Sequence, residues 1–132
     1  MSIQNNCILQ ARLSQSDDGT AEDHYIVMPH SGEWKLDAAY FCPNAATTAH
    51  ATNTATLAVK QGSTSVVTSQ VVSTGGTGSL VAGTKLTFAV LASAGASLEF
   101  GQGDILHIDI DKANDGAIVT GDWTFSFKQT VS

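Results

Sequence analysis

Apolar side chains recur at every second position through most of this 132-residue chain, and that one feature limits the fold more than any other. In Ile105–Asp111, read "ILHIDID", Leu106, Ile108 and Ile110 alternate with Ile105, His107, Asp109 and Asp111. A period of two puts alternate side chains on opposite faces of a β-strand, so one set is buried and the other meets solvent. The helical period is nearly absent.

The same alternation marks the other segments. Cys7, Leu9, Ala11 and Leu13 form one set near the N-terminus. Asp17–Asp23 reads as a polar turn before a short strand that ends at Pro29. In "EWKLDAAYFC", Trp34, Leu36, Ala38, Tyr40 and Cys42 share one face, while Lys35, Asp37, Ala39 and Phe41 take the other. Ala55, Leu57 and Val59 point inward from the next strand. "TSVVTSQVV" reads as a single β-branched strand, and "STGGTGS" as a loop. Leu86, Phe88 and Val90 form an inward set, Leu98 pairs with Phe100, and Trp123, Phe125 and Phe127 close the chain. About eight short strands, with turn signals roughly every 8–15 residues, predict an all-β fold, an antiparallel sandwich or barrel, in one domain spanning 1–132.

Composition excludes several functions. Only 14% of residues are charged and the net charge is −6. The six basic residues, Arg12, Lys35, Lys60, Lys85, Lys112 and Lys128, are scattered singly. Phosphate recognition needs them clustered, so no nucleic-acid partner is expected. No apolar run approaches the roughly 20 residues that span a bilayer, so no membrane partner is expected either. The opening "MSIQNNCILQARL" has no basic start and long apolar core, and does not read as a secretory signal. Cys7 and Cys42 are read as two buried thiols rather than a disulfide.

Site chemistry is sparse. "GDILHIDIDKANDG" carries acids at calcium-loop density, but counting from Asp111 puts Ala113 where an oxygen ligand is needed and Asp122 where a Glu is usual. Asn114, Asp115 and Gly116 read more simply as a turn. His24, His30, His50 and His107 show no zinc-type spacing, although His24 and His30 could meet across a turn. No nucleophile elbow or phosphate loop is present. Glu22, Asp23, Glu33 and Glu99 are the acids available for glycoside hydrolysis, and solvated surface acids are the simpler reading. No catalytic residue, metal site or cofactor is expected. Phe41, Leu91 and Ile105 point away from the inward sets of their strands, and exposed apolar side chains mark a contact surface.

"GEWKLDAAYFCPNA", "NTATLAVKQG" and "SLEFGQGDILHIDIDKANDGAIVTGDWTFSF" together resemble small jelly-roll proteins of tailed-phage particles, above all head decoration (cement) proteins. Asn53–Val59, Leu98–Leu106 and Asn114–Phe127 carry the resemblance, which covers about residues 25–130. It implies an antiparallel β-sandwich of jelly-roll type and a structural virion protein on the outer surface of the capsid, made in the host cytoplasm. Its partners would be the major capsid protein and, as a dimer or trimer, itself. Residues 1–6 are polar and lack a strand pattern, so Ile3, Gln4, Asn5 and Asn6 are expected in an arm lying on the capsid or on a neighbouring subunit. The same sandwich could instead be a trimeric fibre or adhesin head binding a receptor or glycan, or a cupin-type enzyme. Inward alternation of Trp34 and Trp123 argues against the first, and scattered histidines argue against the second.

Overall fold

The structure is a computed structural model and describes residues 5–13, 21–114 and 116–130. Among the described residues ten antiparallel strands form two sheets. In chain order they are β1 (Asn6–Leu13), β2 (Glu22–Val27), β3 (Glu33–Pro43), β4 (Thr54–Gln61), β5 (Thr64–Ser65), β6 (Gln70–Val72), β7 (Leu86–Phe88), β8 (Glu99–Gly101), β9 (Ile105–Ala113) and β10 (Gly121–Gln129). One sheet runs β1-β10-β3-β7, with β8 also beside β3; the other runs β2-β9-β4-β5, with β6 also beside β4.

Pairing is nested: first strand with last, β2 with β9, β3 with β7 and β8, β4 with β5 and β6. That is the jelly-roll order. The count is ten rather than about eight because two of the eight positions are each filled by two fragments. "TSVVTSQVV" is one of these. Val66 and Val67 are both buried, which breaks the alternation. The Val66 N–H donates to Val59 O of one sheet at 2.9 Å, while Thr68 N–H donates to Ala89 O beside the other sheet at 2.8 Å. The chain crosses between sheets there and closes that side of the sandwich.

β9 and β10 follow the expected alternation. Leu106, Ile108, Ile110, Trp123, Phe125 and Phe127 are buried, and their neighbours are not. Three aromatic rings pack around Trp123: Phe41 and Phe88 lie 5.0 Å away and Phe125 is stacked at 5.6 Å. Such contacts add about 0.5–1.5 kcal/mol each beyond the area they bury.

β3 departs from the expectation. Trp34 and Leu36 are buried as read, but the buried set then becomes Ala39, Phe41 and Pro43, and Tyr40 turns outward. The register explains it. Phe127 faces Leu36 and Ser126 faces Ala38, so Asp37 is an extra residue in β3. A bulge of this kind flips every later side chain to the other face. Asp37 itself points out and meets Lys128 Nζ at 3.5 Å. Phe41 is therefore 0% exposed, and its expected place on a contact surface is corrected.

Two further boundaries move. Glu22 and Asp23 belong to β2 and not to the preceding turn. Asn6 opens β1 opposite Lys128, and Asn5 is tied to Gln129 by its carbonyl and its side chain, both at 2.8 Å. Asn6 is thus a residue of β1, and Asn5 is hydrogen-bonded to the end of β10. Ile3 and Gln4 lie outside the described residues, as do Asp17–Thr20 and Asp115. Cys7 and Cys42 are both free, on strands that flank β10 and face it five residues apart, opposite Phe127 and Asp122. That offset exceeds disulfide reach.

Candidate interaction surface

The outer face of the β2-β9-β4 sheet carries the most distinctive chemistry. Outward positions form a grid fixed by register: Val27 opposite Ile105, Tyr25 opposite His107, Asp23 opposite Asp109, with Lys60 of β4 opposite His107 on the far side. One end of the grid is apolar. Tyr25 is 63% exposed, Val27 54% and Ile105 46%, and the three are contiguous across two strands. Ile105 is where the sequence placed it, on the solvent side.

A turn holds this apolar end in place. Gly103 has φ +92°, a conformation that favours glycine, and its N–H donates to Met28 O at 2.9 Å. Met28 N–H donates to Asp104 O, and the Asp104 carboxylate accepts the Gly101 N–H, both at 2.8 Å. The Val27–Ile105 pair is therefore anchored on a closed turn rather than on a free strand end. Among the described residues β2 has β9 as its one sheet neighbour, so it is an edge strand of its sheet.

The other end is charged. His107 Nε2 lies 2.7 Å from Asp23 Oδ1, and the Tyr25 ring stacks on the imidazole at 4.6 Å and 17°. Lys60 Nζ donates to Asp109 Oδ2 at 2.7 Å. Its ammonium is held above the ordinary lysine value first by that hydrogen bond, against the opposing pull of desolvation, with the charges of Asp109, Asp111 and Asp23 adding to it. Asp23 and His107 are 84 positions apart, and only the β2–β9 register brings them together. In the sequence the one visible trace was the His-x-Asp step of His107 and Asp109.

The other sequence candidates separate. Leu91 is half-buried at the start of a 3-10 turn (Ala92–Leu98), and its N–H donates to Val66 O at 2.9 Å. His24 contacts Glu22 at 3.3 Å, while the His30 ring lies 5.8 Å from Trp34, so each is engaged with a different element. Glu22 and Asp23 point to opposite faces of β2, and Glu33 and Glu99 stand on β3 and β8 of the other sheet. The calcium-loop residues are a turn: Asn114 has φ +57°, its amide donates to Thr52 O at 2.6 Å, and Gly116 N–H donates to Ala113 O at 2.9 Å. Asp122, which such a loop would use as its last ligand, lies on β10 and accepts from Arg12 Nε at 3.0 Å.

No protein family, no curated protein and no solved structure matches this chain.

Proposed function

We propose that this protein is a structural component of a tailed-phage virion that decorates the capsid and bridges subunits of the major capsid protein. One observation carries the reading: the contiguous apolar patch of Tyr25, Val27 and Ile105 on the outer sheet face, on and beside the edge strand β2. A soluble domain with a full core gains nothing internally from three large apolar groups there, whereas an interface does. The jelly roll, the low charge content and the resemblance of Asn53–Val59, Leu98–Leu106 and Asn114–Phe127 to cement proteins support the same assignment.

The mechanism is mechanical. A dimer or trimer with several copies of the patch contacts more than one capsid subunit at once. The second contact is made at high effective concentration, so weak individual sites give tight attachment. The test is to measure the protein's mass by light scattering, mix it with heads lacking it, and sediment the mixture. A dimer or trimer that co-pellets with heads and raises their melting temperature is expected. Failure to co-pellet overturns the proposal.

A second reading, a trimeric fibre head that binds glycan, is favoured by one feature, the exposed Tyr25 ring. Trp34 and Trp123, the larger candidate platforms, are buried. Binding to cells or glycan arrays without binding to heads is the outcome that favours this reading.

A further inference from the structure

Asp23, His107 and Asp109 each offer one ligand atom, and the three atoms lie within 4.8 Å of one another. Their placement is set by the backbone. Asp23 and Asp109 are direct partners across β2 and β9, and His107 precedes Asp109 by two residues, on the same face. The Tyr25 ring stacked on His107 limits rotation of the imidazole.

The donor set is one imidazole nitrogen and two carboxylate oxygens. Two carboxylates neutralise a divalent charge. The nitrogen favours a zinc-like ion over magnesium or calcium, which prefer oxygen throughout. Zinc bonds to these donors are about 2.0–2.2 Å long, and three protein ligands leave a position for water. Asp23 Oδ1 and His107 Nε2 already stand 2.7 Å apart, so an ion that gathers the three ligands has to draw in Asp109, whose carboxylate is held by Lys60. The cluster already receives a cation: the Lys60 ammonium, 2.7 Å from Asp109.

We propose that Asp23, His107 and Asp109 bind a zinc-like divalent transition-metal ion on the outer face of the β2-β9-β4 sheet, displacing the Lys60 ammonium from Asp109. This goes beyond the capsid assignment and does not depend on it. The ammonium is a built-in competitor, so its removal improves metal binding, which a non-specific histidine site would not show.

The test is calorimetric titration of the full chain with zinc chloride in metal-free buffer. One equivalent is expected to bind with Kd below about 100 µM. His107→Ala is expected to weaken binding at least about tenfold. Lys60→Met is expected to tighten it several-fold, and His24→Ala to leave it unchanged. All three positions lie on or near the sheet surface, and a melting curve for each chain verifies folding; His107→Gln serves as the second variant if His107→Ala melts early. Equal zinc affinity in wild-type and His107 variants overturns the site. So does a Lys60→Met chain that binds no more tightly, or calcium binding as strong as zinc.

Discussion

Phe41 of β3 and Trp123 of β10 face each other directly in the sheet, with ring centroids 5.0 Å apart. They meet inside the core only because Asp37 is an extra residue upstream in β3. Without it, Tyr40 would take the inward place and Phe41 would face solvent.

The bulge predicts an asymmetry between neighbours. Phe41→Ala is expected to cost about 3–5 kcal/mol, the loss for truncating a buried aromatic. Tyr40→Ala is expected to cost about 1 kcal/mol, since its ring is half-buried and its main partner is Lys85 Nζ, 4.8 Å above it. Urea unfolding of the two variants checks this. Equal midpoints would contradict the flipped register.

Gly121 predicts a second packing effect. A Cβ there would strike the Cys42 carbonyl oxygen and stand 2.8 Å from Phe41 Cζ and 2.9 Å from Pro43 Cα. These are backbone and core atoms that cannot swing aside. Gly121→Ala is expected to destabilise by about 1–3 kcal/mol, as overpacking does. Gly62→Ala is the contrast: a Cβ there meets no atom within 4 Å, and φ +62° leaves only the backbone penalty. Thermal melts of both variants separate crowding from backbone strain.

Lys60 predicts a pH dependence. Its folded-state value is raised, with the Asp109 hydrogen bond as the largest cause. A raised lysine contributes stability that is fully present below its unfolded value near 10.5 and is lost as pH rises through the folded value. The wild-type minus Lys60→Met difference in urea midpoint is therefore expected to be constant from pH 7 to about 9 and to shrink above about 10.5. A difference that grows with alkaline pH would reverse the sign of the pair's contribution.

The apolar patch predicts a split between stability and association. Val27→Asp and Ile105→Glu replace exposed side chains, so each is expected to change unfolding free energy by about 0.5 kcal/mol or less. Together they are expected to abolish co-sedimentation with heads or self-association. Retention of both activities in the double variant would remove the patch from the proposed interface.

Local alternation determined much of this protein by itself. It identified the inward faces of β4, β9 and β10, the exposure of Ile105, and the turn at Asn114, because a half-buried strand repeats its burial every two residues and a turn needs residues that accept positive φ. It also indicated an antiparallel sandwich or barrel, while the nesting of the strand pairs came only from the sheet order. Tertiary structure alone decided the rest. The bulge at Asp37 leaves no mark in "KLDAAYF", since the residues are ordinary and the extra one is defined only against β10. The crossing at Val66–Thr68 reads as strand because β-branched residues suit both. The Asp23–His107–Asp109 group with Lys60 draws on three strands and on positions 84 and 49 residues apart, so no local pattern encodes it. Side-chain period is a property of one strand; register and bulges are properties of two, and they set which residues meet.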